Sequence, residues 1–517
     1  MASSSSELNR VEELLSQSEE EVQKRRTALR ALNPGDHVYV AGICGTGTAA
    51  VASLLKMLGF KVSGSDKAFY PPMGDVVRAV ADNIFEGYSA DNLNERPDLV
   101  VIGNSLSKDH PEYQRVLAEE IPYASMPEVL GELLVGSRED CKNSVVIAGT
   151  HGKTTTSAAM SVLLENAQRK PGYFVGGYVD KLEGGIRPWS GEQSASERVV
   201  VLEGDEYDSA CFAKWSKFHS YRPDFLVVTS LEFDHADIFA SIDDIVDEFE
   251  ALVRSMPASA HVLICDQYQI NRDLAAKWQQ DSSVLCEVSL YGRDEKSKFK
   301  LSSRKSGEGK QQLELELAGK KITVVTSLSG EHNALNLTAI SSVASLLGLS
   351  ESEIIQGVAS FSGVKRRQQK VFDNEKIVVI EDFAHHPTAV DLTLAGLKEL
   401  WPERRLIAVF EPRSNTSRRS FFQEAYAKSF SAADLVLIKS VAGDSGYSKS
   451  GEDIVALDTD QLVFDIKSNT GVEAQAISEI DSMTKELVSL KQDGDLIVLM
   501  SNGDFGGIKD KLIAKLS

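Results

Sequence analysis

Residues 144–158 read SVVIAGTHGKTTTSA. An apolar, β-branched run, SVVIA, passes through Gly149 into a second glycine, a lysine and a row of threonines. Beyond it, SAAMSVLLENA (157–167) has the small and apolar spacing of a buried helix. Strand, glycine turn and helix N-terminus together make a phosphate cradle, in which backbone N–H groups and the helix dipole face the anion's oxygens. The common form of this loop is GxxxxGK[ST]. Here Ile147 stands where the first glycine would be, and the motif is the shorter GxxGKTT, Gly149 to Thr155. Lys153 supplies a point charge, and the hydroxyl of Thr154 or Thr155 suits Mg²⁺.

The same rhythm recurs on both sides. HVYVAG (37–42) leads into TAAVASLLKML, followed by KVSGSD (61–66) and DLVVIG (98–103). After the phosphate loop come VVVLEGDE (199–206) and DFLVVTSLEFDH (224–235), each read as a strand ending in acidic or histidine residues. From about 284 to 327 the pattern becomes that of antiparallel strands, with LELELAGKKITVVTSL alternating and SGEGK (306–310) as the turn before it. Helical periodicity returns in HNALNLTAISSVASLLG. KIVVIEDFAHHP, RLIAVFEPRS, DLVLIKS and DLIVLMSNGDFGG then repeat the α/β alternation. The expected fold class is α/β with three domains. These are a Rossmann-like domain at 36–140, a P-loop ATPase-like domain with a mixed sheet at 141–362 and a second Rossmann-like domain at 363–517, with a helical extension at 1–35 carrying Leu8, Val11, Leu14 and Leu15.

Bulk properties exclude several classes. A net charge of −21 makes the chain a poor general binder of nucleic acid. No apolar run approaches the ~20 residues that span a bilayer, so no membrane partner is expected. The N-terminus, MASSSSELNRVEELLSQSEEEVQKRR, lacks the apolar core of a signal peptide. Five scattered cysteines (Cys44, Cys141, Cys211, Cys265, Cys286) without a CxxC pair read as reduced thiols. A cytoplasmic location is the expectation.

Most polar clusters fall at strand ends, where open α/β sheets bind ligands. Glu203 ends an apolar strand, with Asp205, Glu206 and Asp208 behind it, and its carboxylate suits Mg²⁺. His235 is a further candidate metal ligand. GICGTG (42–47) has GxxGxG spacing, not the GxGxxG of dinucleotide enzymes, and is weak evidence for a ligand by itself. Asp66 ends the next strand, where it could bond a ribose or base. Arg366 and Arg367, in GVKRRQQ, are equally a phosphate fork or a solvated turn on their own. Asp382, His385 and His386, and the loop FEPRSNTSRR (410–419), leave the same two readings open.

Taken together, GTHGKTT, EGDEYD, FDHADIF, GEHNALN, KRRQQ and DFAHHPT stand in the order found in the Mur ligases of cell-wall synthesis, and the chain resembles that family over about residues 36–507. The resemblance implies an ATP-dependent amide ligase that phosphorylates a carboxylate and lets an amine displace the phosphate. It implies ATP and Mg²⁺ as cofactors. Gly149, Thr150, His151, Gly152, Lys153, Thr154 and Thr155 would hold the phosphates, Asn333 and Asn336 would face the adenine, and Arg367 and Asp382 would reach ATP from the third domain. Thr154, Glu203 and His235 would serve the metal, and Lys153, His235 and Arg367 the chemistry. Gly42, Cys44, Gly45, Thr46, Gly47, Ser65, Asp66, Asn104 and Ser105 would bind a UDP-sugar.

Within the family, residues 234–258 hold no lysine, and no DNPR motif is present. The missing lysine disfavours the members that add D-Glu, diaminopimelate or the D-Ala dipeptide, and the missing DNPR motif further disfavours the diaminopimelate-adding member. GICGT, SDKAFYPPM, EYDSACFAKWSKF, LEFDHADIF and FEPRSNTSRR resemble the members that join the tripeptide L-Ala-γ-D-Glu-meso-diaminopimelate to UDP-N-acetylmuramate more than those that add L-alanine. UDP-N-acetylmuramate and murein tripeptide are thus the expected small-molecule partners. The 35-residue extension and the loop GNSLSKDHPEY depart from the family pattern.

Overall fold

The computed structural model describes residues 19–233, 239, 241–307, 309–414, 417–441 and 455–516. These fall into two compact units. The first comprises 19–233, 241–299 and 339–357; the second comprises 300–338 and 358–516.

The first unit contains two sheets. One has five parallel strands in the order Asn83–Glu86, Lys61–Asp66, His37–Ala41, Leu99–Ile102, Tyr123–Ser125. His37–Ala41 is central, with Val38 beside Val62 on one side and Leu99 on the other. Strand order reverses there, so the turns leaving His37–Ala41 and Leu99–Ile102 flank one crevice, the place where such sheets bind ligands. GICGTG and GNSLS are those turns. The other sheet runs Glu287–Gly292, His261–Cys265, Phe225–Val228, Ser144–Ala148, Val200–Gly204, Gly172–Phe174, Ile186–Arg187. Its strands are parallel except Ile186–Arg187, which makes the sheet mixed. Ser144–Ala148 lies between Phe225–Val228 and Val200–Gly204. Whatever follows those two neighbours therefore surrounds the phosphate loop.

The second unit carries a ribbon, Phe299–Gly307, Lys310–Leu317 and Lys320–Thr326, the last two antiparallel. Its six-stranded sheet runs Gln369–Asp373, Val378–Asp382, Asp495–Met500, Arg405–Phe410, Leu435–Lys439, Glu473–Ile477, parallel except at the Gln369–Asp373 edge. Both faces are buried. Val378 and Ile380 join Leu394, Phe410 and Tyr426 on one side, while Val379 joins Ile407, Leu487 and Ile497 on the other. The period of two explains why these strands read as continuous apolar runs.

The three α/β sheets match the expected class, with two differences. The strand read over 224–235 ends at Val228, because the chain beyond it leaves the sheet to bond the phosphate loop: Thr150 N–H donates to the Ser230 carbonyl at 2.7 Å. Glu287–Gly292, inside the stretch read as antiparallel, is parallel to His261–Cys265. The helix of the extension is described from Glu19 to Ala31; Leu8, Val11, Leu14 and Leu15 lie outside the described residues. That helix is pinned by Arg25, whose Nε donates to Glu128 Oε1 at 2.8 Å and whose guanidinium lies 5.0 Å over the Phe212 ring. All five cysteines are free thiols, and no described helix is long and apolar enough to cross a membrane.

Candidate active site

The loop 149–152 links the Ser144–Ala148 strand to the Lys153–Asn166 helix. Gly149 sits at φ +121°, and a Cβ there would stand 2.5 Å from Thr229 Oγ1 and 2.6 Å from the Ser230 carbonyl. Only glycine fits that close pass. Neighbouring backbone fixes the rest: His151 N–H donates to Ser230 Oγ at 2.9 Å, Thr229 Oγ1 donates to the His151 carbonyl at 2.6 Å, and Glu232 N–H donates to Thr150 Oγ1 at 2.9 Å. His151 Nε2 is 2.9 Å from Glu232 Oε2. The loop is thus preformed by the residues that follow the Phe225–Val228 strand, and its helix starts at Lys153 with left-handed Gly152 as cap. Thr155 follows in the first turn, half-buried.

Lys153 is held among carboxylates. Its Nζ donates to the Gly149 carbonyl at 2.7 Å and to Glu206 Oε2 at 2.8 Å. Burial works against its charge, but Glu206 and Asp205 outweigh that and keep the ammonium more basic than usual. Glu203 is buried; its Oε1 accepts from Thr154 Oγ1 and its Oε2 from Gly176 N–H, both at 2.7 Å. Burial, then the Asp205 charge, pushes its carboxyl above the ordinary range. Asp205 goes the other way: burial opposes ionisation, but Lys217 (2.9 Å) and Lys153 hold the carboxyl low. A buried carboxylate and a hydroxyl that touch each other, with burial and a neighbouring carboxylate outweighing the pull of Lys153, form a hard oxygen donor pair that fits Mg²⁺. When bound, the ion would be held by Thr154 and Glu203 and would neutralise phosphate oxygens there. His235 lies outside the described residues.

The residues that the resemblance assigns to a UDP-sugar gather at the crevice of the five-stranded sheet. Gly45 caps the Thr46–Met57 helix, and Gly42 and Ile43 N–H both donate to the Ser65 carbonyl, at 2.9 and 3.0 Å. Cys44 N–H donates to Asp66 Oδ2 at 2.8 Å, and Tyr88 OH to Asp66 Oδ1 at 3.2 Å. Burial and Asp66 push the Cys44 thiol up to about 11, so it stays protonated. Gly47 packs against Met126. Asn104 and Ser105 are exposed beyond Leu99–Ile102, and Leu106 behind them abuts Gly42. Ser65 is oriented otherwise than a ligand-facing reading expects. Its hydroxyl is buried and donates to Glu112 Oε2 at 2.8 Å. Tyr39 OH (2.9 Å) and Asn92 Nδ2 (2.8 Å) donate to the other Glu112 oxygen. Glu112 escaped the sequence reading because a glutamate in a helix pattern carries no signal of burial.

The second unit brings Asn333, Asn336, Arg367 and Asp382 into one cluster. Asn336 Nδ2 lies 3.4 Å from Asn333 Oδ1. Asp382 accepts from Gln368 N–H at 2.6 Å and Ala384 N–H at 2.7 Å, while burial pushes its carboxyl up against the pull of Arg367. The Arg367 guanidinium lies 4.4 Å over the Phe383 ring. Arg366 is turned to the Ser501 carbonyl (3.0 Å) and Glu381 (3.4 Å), which leaves Arg367 as the arginine beside Asp382. His385 Nδ1 lies 3.0 Å from the Phe383 carbonyl, and His386 caps the following helix. The partners that sequence reasoning passed over are Ser230, Glu232 and Gln368. All three lay inside quoted stretches, and their neighbours were the only available clue; Glu206, read as one of the carboxylates behind Glu203, pairs with Lys153.

Residues 37–138 match the model described as Mur ligase family, catalytic domain; 147–344 match Mur ligase middle domain; 366–503 match Mur ligase, glutamate ligase domain. The chain is 33% identical to the UDP-N-acetylmuramate–L-alanyl-γ-D-glutamyl-meso-2,6-diaminoheptandioate ligase of Escherichia coli, over 93% of this chain and 98% of that one. Among solved structures it is similar to a murein peptide ligase from Psychrobacter arcticus, with TM-score 0.65, 31% identity, and coverage of 93% of this chain and 99% of the other. It is also similar to a UDP-N-acetylmuramate–alanine ligase from Thermotoga maritima, with TM-score 0.72, 25% identity and the same coverage.

Proposed function

The chain belongs to the Mur ligase family of ATP-dependent ligases that form C–N bonds, and within that family we propose that it joins the tripeptide L-Ala-γ-D-Glu-meso-diaminopimelate to UDP-N-acetylmuramate in the cytoplasm. The reaction reading rests on one observation: Lys153 and the Thr154–Glu203 pair converge at the end of the Ser144–Ala148 strand. A carboxylate repels an amine until it is activated. Lys153 and the N–H groups of the helix's first turn hold the β- and γ-phosphates of ATP, so that the γ-phosphoryl moves to the muramate carboxylate as an acyl phosphate. The tripeptide amine attacks that carbon, phosphate leaves, and an amide remains. The protein's share is positioning and neutralising oxygens. Arg367 and Asp382 serve the nucleotide, and the crevice with Gly42, Gly45, Asp66, Asn104 and Ser105 takes the UDP-sugar.

The choice of tripeptide is supported by relatives bearing that name at 33% and 31% identity over 93% of the chain, and by EYDSACFAKWSKF and FEPRSNTSRR. The L-alanine ligase is the second reading, favoured by the higher TM-score of the Thermotoga maritima enzyme. The deciding experiment is ADP release with ATP, Mg²⁺ and UDP-N-acetylmuramate, offering L-alanine or the tripeptide at equal concentration. Preference for the tripeptide upholds the proposal, and preference for L-alanine overturns it.

A further inference from the structure

Gln368 stands at the centre of the second unit's polar cluster. Its Oε1 accepts from Ser329 Oγ at 2.7 Å and from Asn333 Nδ2 at 3.3 Å, and its own N–H donates to Asp382 at 2.6 Å. The backbone here is unusual. Arg366 at φ +62° and Gln368 at φ +49° are both left-handed, on either side of Arg367. Such conformations in non-glycine residues are costly and tend to persist where a site needs them. Cluster assembly does not depend on the Gln368 side chain alone, because Gly330 and Gly396 meet nearby backbone to backbone. A Cβ on Gly396 would stand 2.7 Å from Gly330 Cα, so these segments are already held in register. The side-chain bond adds orientation.

That orientation concerns the Asn333 amide. One of its N–H groups goes to the Ser329 carbonyl at 2.8 Å and the other to Gln368. With both donors spent, the group Asn333 offers is its oxygen, an acceptor that the Asn336 amide meets at 3.4 Å with one lone pair left for a ligand. Adenine carries a donor amine at position 6, whereas hypoxanthine and guanine carry an acceptor oxygen there. We propose that Gln368 is a specificity-determining positioning residue: it locks the Asn333 amide so that an acceptor faces the 6-amino group of ATP. This rests on the reading that Asn333 faces the adenine. Without the lock the amide can turn over and present a donor to a 6-oxo base.

The test compares ATP with inosine triphosphate in the ADP/IDP-release assay, using full-length Q368M, Q368E and N333A and measuring the melting temperature of each. Methionine keeps the length and removes the acceptor; glutamate keeps the acceptor. The ATP-over-ITP ratio of kcat/KM should fall about fivefold to tenfold in Q368M, the worth of one orienting hydrogen bond, and stay within about twofold of wild type in Q368E. The KM for UDP-N-acetylmuramate should not move. A Q368M that keeps the wild-type ratio, with or without a lower melting temperature, overturns the proposal if N333A collapses that ratio. Equal loss in Q368M and Q368E also overturns it. An unchanged ratio in N333A removes the adenine reading itself, and the proposal falls with it.

Discussion

Replacing Glu112 with alanine should uncouple the sugar-side crevice from its support. Glu112 lies beneath the glycine turn and accepts from Tyr39, Ser65 and Asn92, which come from two adjacent strands and the Ala90–Leu93 turn. Burial and the Glu112 charge push the Tyr39 phenol well up, so it remains a donor. In the alanine variant three donors lose their acceptor, at about 1–3 kcal/mol for each buried group. Part of that is offset because an uncompensated buried carboxylate is itself costly, and water can enter the space left behind. A net loss of about 3 kcal/mol follows, which lowers the first thermal transition by roughly 6–12 °C for a folding unit of this size. Glutamine keeps the shape and can still accept from Tyr39 and Asn92 while donating to Ser65, so E112Q should lose about 1 kcal/mol or less. Scanning calorimetry on wild type, E112A and E112Q reads the stability. Titration with UDP-N-acetylmuramate should show weakened binding in E112A, because Ser65 carries the carbonyl that fixes Gly42 and Ile43. If E112A melts within about 2 °C of wild type, or if E112Q falls as far as E112A, the hydrogen-bond account of this hub is wrong.

Three further outcomes are expected. Lys153→Ala should abolish ADP release yet leave the affinity for UDP-N-acetylmuramate within about twofold, since the lysine and the sugar crevice stand on separate sheets; a large loss of sugar affinity in calorimetric titration would contradict this. Glu203→Gln should end Mg²⁺-dependent turnover while stabilising the ligand-free protein. The folded carboxyl holds its proton more tightly than its ordinary value of 4.5, so wild type loses stability relative to the variant as pH rises above that value, and the gap in melting temperature should widen from pH 4.5 towards neutrality; a gap that narrows with rising pH reverses the sign of the argument. Arg25→Ala strands the buried Glu128 carboxylate and removes the guanidinium from Phe212, at about 3 kcal/mol, and the loss should show as a lower first thermal transition, with E128Q in the same chain recovering part of it.

Much of the site was legible because its signals are local. A lysine and threonines at a strand-to-helix turn mark a candidate phosphate loop from fifteen consecutive residues, and Glu203 stood out as a candidate by ending an apolar strand. The terminal sheets were readable for the same reason: Val378, Val379 and Ile380 are apolar in succession because both faces are covered. Other parts left no local trace. The family resemblance makes Ser65 a ligand contact, but its hydroxyl points inward, and only the packing of the helix that carries Glu112 decides that. The short strands Gly172–Phe174 and Ile186–Arg187 have too few residues for a period to emerge.

The amino-acid sequence by itself determined the alternation of strands and helices, the loop conformation that Gly149 and Gly152 permit, and the chemical type of the groups at each strand end. These depend on steric and hydrogen-bonding preferences within a few residues. Tertiary structure alone decided which groups meet: Glu206 on Lys153 across 53 positions, Glu112 on Ser65 across 47, and Gln368 on Asn333 across 35. Such pairings follow from which strands lie side by side, and strand order is set by the burial of whole sheet faces, a property that no short stretch of chain contains.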